Sequence, residues 1–239
     1  VADPNSRPFL QLCQDVVTDI GIAGGQITTT VGNTNTELQR VVSWVARADI
    51  MIQKLWSDWT FLWYLDNAIA IPAGTDNFST TYPFDDIDHK SMVVNAATAG
   101  ANPSYPKWMD WAAFYLAYQT RVKTPAASPS NWAVDPAGNI WLSHITINPI
   151  NVWLEYWLRP TRMIAVNDTS PIPSDFDMII VERAKIMYAE RENAPEILSG
   201  STAEYTDTLD KLQSSCLPSG RAARKSRNDE TTNPDGYVV

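Results

Sequence analysis

The chain has 239 residues, is 44% hydrophobic and only 19% charged, and carries a formal net charge of −9. A chain this long buries roughly 70% of its unfolded surface, so it needs neither a disulfide nor a metal to fold, and one large domain, or a core with an arm, is expected. The acidic balance excludes a protein built to grip nucleic acid through many cationic contacts, while ten Trp among few charges point to surface buried against other subunits or in a Trp-rich core.

The opening VADPNSRP has no basic region and no apolar stretch, so no signal peptide is expected. Further on, no apolar run reaches the roughly 18 residues of a membrane span. Ser6 is placed to cap a first helix, with Pro8 in its first turn and Phe9, Leu12, Val16 and Ile20 at helical spacing. Gly21 supplies a left-handed C-cap, with Ile22 packing back. Gly24, Gly25 and the Thr/Asn-rich stretch to Asn35 form a loop that resembles no phosphate-cradling motif.

Leu38, Val41, Val45, Ala48, Ile52, Leu55 and Trp59 then recur at steps of three and four. This predicts one continuous stripe on a helix from Thr36 to Asp58, facing the core or a neighbouring subunit. From Phe61 the period changes. FLWYLDNAIAI reads as a strand ended by the turn signal PAG. Phe78 to Thr81 and Ile87 to Val94 read as two further weak strands around YPFDD. KWMDWAAFYLAYQT puts Trp111, Phe114, Tyr115 and Tyr118 on one face of a short helix, and PAASPS is a turn region.

NWAV, DPAGN and IWLSHITI predict a hairpin. NVWLEYWLR is expected to pair back on it after the turn at Asn148-Pro149. Its Val152, Leu154, Tyr156 and Leu158 face one way, and Trp153, Glu155, Trp157 and Arg159 the other. Ser174-Asp175-Phe176-Asp177 resembles a capping box, opening a helix to about Glu192. Ser201 to Glu204 repeats that signature before Tyr205, Leu209, Leu212 and Cys216. Past Pro218 the apolar period ends, and residues 219 to 239 form a polar arm that cannot fold alone.

Several residues invite a chemical reading. Asp85, Asp86, Asp88 and His89 are the densest set of possible metal ligands, but they lack the Gly and closing Glu of a calcium loop, and a zinc site would want more His or Cys. They read as a solvated acidic turn. His89 and His144 are the only histidines, and no GxSxG elbow accompanies them. Cys13 lies on the apolar side of its helix, as a buried inert thiol would. With Cys216 it makes too few cysteines for a disulfide scaffold, so a reducing compartment is expected. Carboxylates abound, yet nothing selects a glycosidase pair, whose separation is spatial. No cofactor and no catalytic role is expected.

In order, FLQLCQDVVTDIGI, TELQRVVSWVARADIMIQKLWSDWTFLW, VWLEYWLRPT and PIPSDFDMIIVERAKIMYAERE resemble the head-to-tail adaptor (connector) proteins of short-tailed bacteriophages. The specific parts are the helix ending in Trp56-Ser57-Asp58-Trp59 and the IPxxF helix start. The resemblance implies an α+β, mainly helical fold: a helical bundle with a small antiparallel β domain, inserted at about 60–160, and an extended C-terminal tail. It implies an adaptor domain over 1–218 and an arm over 219–239.

It also implies a structural virion protein at the head-tail junction, made in the host cytoplasm. Such a protein assembles as a homo-oligomeric ring, a dodecamer in the family, under the portal protein. It extends the DNA channel without gripping DNA and offers a platform for tail nozzle or tail fibre proteins. Arg221, Arg224, Lys225, Arg227 and Tyr237 are then candidates for docking on the portal. The competing readings are a peptidoglycan-cleaving tail component and a Trp-rich carbohydrate-binding module.

Overall fold

The computed structural model describes residues 5–22, 26–30, 35–96, 102–119 and 123–218. The described parts of Val1–Leu62 and Pro160–Val239 form one compact unit, and Trp63–Arg159 forms the other.

The first unit is built on four helices: α1 (Phe9–Ile20), α2 (Thr36–Gln53), α4 (Met178–Glu192) and α5 (Pro195–Cys216). α1 buries Phe9, Leu12, Cys13, Val16 and Val17 on one side. Its N-cap is Pro8, not Ser6. The Ser6 hydroxyl instead donates to the Ile172 carbonyl at 3.5 Å. Free N–H groups at a helix start must find acceptors. Here Phe9 N–H donates to Asp168 O at 2.7 Å and Leu10 N–H to Val166 O at 3.2 Å. At the other end Gly21 takes the left-handed conformation, φ 67°, that a C-cap demands and that glycine adopts without steric cost.

Asn35 caps α2, its side chain accepting from Glu37 N–H at 2.9 Å. The helix buries Leu38, Val41, Val42, Val45, Ala48 and Ile52, and it ends at Gln53 rather than at the expected Asp58. The cause is a side chain. Trp59 folds back, fully buried, and its indole N–H donates to the Ile52 carbonyl at 3.2 Å. That carbonyl also accepts from Leu55 N–H at 3.1 Å, so the last turn is tightened and closed. Trp59 therefore joins the core from a turn rather than from the helix stripe, and Leu55 is only half-buried.

α4 packs against α1, α2 and α5, and it buries Ile179, Ile180, Val181, Ala184, Ile186 and Ala189. The expected capping box at Ser174 does not form. A 3₁₀ turn, Ser174–Phe176, precedes α4, and no side chain caps the helix. The Asp177 carboxylate accepts from Arg7 N–H at 3.2 Å instead. Asn193, φ 55°, ends the helix. α5 starts at Pro195, where a missing N–H costs nothing. Ser201, expected to open a helix, is a buried residue inside it.

The described residues of the second unit carry ten strands: β1 (Trp63–Ile71), β2 (Asn77–Phe78), β3 (Phe84–Ile87), β4 (Val93–Ala96), β5 (Lys107–Trp108), β6 (Pro125–Ala126), β7 (Asn131–Val134), β8 (Ile140–Leu142), β9 (Ile145–Thr146) and β10 (Ile150–Leu158), with α3 (Trp111–Phe114) between β5 and β6. They form three sheets.

β7 and β8 make the expected hairpin, with Trp132 opposite Leu142 and Val134 opposite Ile140. Asp135 holds its turn by accepting from Ala137 N–H, Asn139 N–H and the Trp141 indole, each at 2.8–2.9 Å. β10 does not pair back on that hairpin. It runs antiparallel to β1, Trp63 opposite Trp157 and Ile71 opposite Ile150, with β3 and β4 along its other edge. Val152, Leu154 and Tyr156 on β10 are fully buried in a core with Ile71, Met92, Trp132, Ile140 and Leu142.

One extra residue enters β1 between Asp66 and Ile69, and Ala68 takes φ 57° there. Such a bulge bends the strand. Beside it the buried Asp66 carboxylate accepts from the Tyr156 hydroxyl at 2.8 Å and from Thr81 N–H at 2.9 Å. Burial, then the Asp66 contact, pushes the Tyr156 phenol well above its ordinary range.

The expectation of a mainly helical bundle with a small antiparallel β domain is overturned. Among the described residues, helices take 41% and strands 22%, a mixed α/β fold with three sheets. The sheets are not purely antiparallel either: β5 pairs parallel to β7 and β6 parallel to β9. Strands of two residues carry no legible alternation, because a period of two needs at least four residues to show. That is why PAASPS, expected as a turn region, contains β6, while the four-residue β3 starts inside YPFDD, expected between strands.

Candidate functional site

The acidic turn is occupied by its own backbone. Asp86 accepts from Ile87 N–H at 2.8 Å, and Asp88 from Lys90 N–H at 2.9 Å. His89 lies flat on Trp108, centroids 3.8 Å apart and planes 4° from parallel, and Trp108 meets the buried Trp132 edge-on. Among the described residues no group of three or more His, Cys, Asp or Glu is arranged to hold a metal ion.

Ser143 Oγ lies 2.8 Å from His144 Nδ1. The same oxygen accepts from Ser130 N–H and Asn131 N–H, both at 3.1 Å, and Ser143 is buried. Two backbone donors on one hydroxyl oxygen occupy the lone pairs a nucleophile would use. The arrangement ties the start of β7 to the end of β8. Both cysteines are free and buried. Burial pushes the Cys13 thiol up to about 12, far from the thiolate that reacts. In the folded protein at neutral pH, Cys13 should react with a thiol reagent only at the rate at which the helical unit opens. Reaction as fast as a free thiol's would show that it is exposed.

A feature the sequence did not single out lies on α2. Asp49 is fully buried, and Ser170 Oγ donates to its Oδ1 at 2.6 Å. Among the described residues its Oδ2 has no hydrogen-bond partner, nor do the side-chain nitrogen and oxygen of the buried Gln53, one turn on. Burial drives the Asp49 carboxyl up to about 6, while Ser170 and the nearby Gln53 pull it back part of the way. A charge this deep without a countercharge is costly. The i, i+4 spacing of Asp49 and Gln53 inside an apolar stripe was the available signal.

The remaining candidates are surfaces. Tyr82, Tyr105, Tyr115, Leu116 and Ile147 are exposed large apolar side chains in the second unit, and Trp63 joins them, its indole donating to Glu155 at 3.3 Å. In the first unit Leu38, Val41, Val45, Ile52 and Trp59 are buried within the chain itself. The stripe is therefore spent on the core, and Leu55 is the one member left half-exposed. Arg221, Arg224, Lys225, Arg227 and Tyr237 lie outside the described residues. No described helix is long and apolar enough to cross a membrane.

No protein-family model matches the sequence, and no curated protein matches it.

Proposed function

We propose that the chain is a ring-forming head-to-tail adaptor of a short-tailed bacteriophage, a non-enzymatic part of the virion. The observation that carries this reading is where the four family-like segments fall. They form α1, α2 with the start of β1, β10 and α4, the helices packed on one another in the first unit and the strand through the middle of one of the two four-stranded sheets. The likeness thus lies in the framework and not in loops. The second unit is larger in sheet than the family implies. Its exposed Tyr105, Tyr115 and Leu116 are the kind of side chain that interfaces collect. In this reading the ring sits under the portal, continues the DNA channel and receives tail proteins.

The test is solution mass, measured by light scattering on the full chain alone and with its portal protein. A ring of many copies of the 26.7 kDa chain, formed alone or on the portal, is expected. A chain that stays monomeric in both conditions defeats the reading. A second expected result concerns DNA. With a net charge of −9, the isolated protein should not bind duplex DNA even at low ionic strength, because binding draws on counterion release by many cationic contacts. Tight, salt-sensitive binding in a fluorescence titration would count against a channel that lets DNA pass.

A further inference from the structure

α5 is a 22-residue helix that buries only Ser201, Leu212 and Cys216, and α4 is the element it packs against. At about 100° per residue, those three residues fall on one side of the helix. Glu196, Asp207 and Asp210 fall on the opposite side and Glu204 on its flank, and all four are exposed. The one cation of α5, Lys211, is already paired with Asp207. A strip about 21 Å long, from Glu196 to Asp210, therefore presents an exposed acidic face.

The sequence holds a matching partner. Just past Pro218 come Arg221, Arg224, Lys225 and Arg227, four cations close together in sequence. α1 and α4 end in left-handed caps at Gly21 and Asn193. α5 ends at Leu217 in an extended conformation, φ −106° and ψ 142°, as a residue before proline is held. The sequence continues for 21 residues after Pro218, enough to span up to ~70 Å, about twice the length of α5.

We propose that the basic segment 221–227 of one copy docks on the acidic outer face of α5 in a neighbouring copy. The segment thus closes one subunit onto the next, through charge-assisted contacts of Arg and Lys to Glu204, Asp207 and Asp210. The proposal rests on the ring reading for the presence of that neighbour, not for the choice of surfaces.

The experiment uses the full chain in its assembled state, as an equal mixture of ¹⁵N-labelled and unlabelled protein. A carbodiimide, which joins a lysine amine directly to a carboxylate, is added at low and at high salt. The expected product links Lys225 to Glu204, Asp207 or Asp210, with mixed-label pairs as frequent as same-label pairs, and its yield falls at high salt. Same-label links alone would place the segment on its own helix and overturn the proposal. Absence of any such link would overturn it as well.

A complementary pair of variants gives the second readout. Asp207→Lys with Asp210→Lys, and separately Arg221→Glu with Arg224→Glu, should each weaken self-association about tenfold. Mixing the two should restore it, since each then supplies the face the other lacks. If both variants assemble like the wild type, the docking proposal fails while the ring stands. If the wild type neither assembles nor cross-links between copies, both fail.

Discussion

The Asp49→Asn protein should be more stable than the wild type near pH 7, by on the order of 3 kcal/mol, and no more stable below about pH 4. The Asp49 carboxyl stands at about 6 in the folded chain against an ordinary 3.8, and each pKa unit corresponds to ~1.4 kcal/mol. Because the folded value is raised, the folded state favours the proton. The stability tied to that proton is fully present below 3.8 and is lost as pH rises through 6. Asn keeps the acceptor for Ser170 and has no charge to desolvate. Urea midpoints measured at several pH values should therefore show the wild type weakening across this window and the variant holding level. Parallel profiles would mean that Asp49 is solvated or has a countercharge.

Ile52→Ala should cost ~2–5 kcal/mol, the range for truncating a buried aliphatic side chain that leaves a cavity. Ile52 is 0% exposed. It sits where α2 ends and Trp59 folds back onto its carbonyl, so the groups around the cavity are held from two directions and have little room to collapse. The expected reading is a lowered urea midpoint with an unchanged slope, since the surface exposed on unfolding is the same. A loss of only a few tenths of a kcal/mol would show that the site is not core. Because the two changes lie one turn apart on the same helix, their effects should not simply add.

Long elements were legible in the sequence. α1 and α2 carry apolar residues at steps of three and four over a dozen or more positions, and a pattern that long is hard to mistake. Gly21 was legible because a left-handed cap asks for glycine. The hairpin of β7 and β8 was legible because Pro136 and Gly138 mark its turn. Caps were harder to read. Ser6 and Ser174 have the side chains of N-caps, yet Ser6 bonds to Ile172 and no side chain caps α4. A hydroxyl near a helix start has other acceptors once distant chain arrives, and local sequence does not name them.

By itself the sequence determined which segments are helical, which strand alternates, and that the chain is acidic with a basic stretch near 221–227. Those properties depend on neighbours a few residues away. Only the tertiary structure decided that β10 pairs with β1, Trp63 with Trp157 and Ile71 with Ile150, and not with the adjacent hairpin. It alone showed the two-residue strands assembling into sheets, the burial of Asp49 without a countercharge, and the acidic face left open on α5. The physical reason is shared. Strand pairing, desolvation and exposure are set by what lies across space from a residue, and a period along the chain reports only which side of an element that residue occupies.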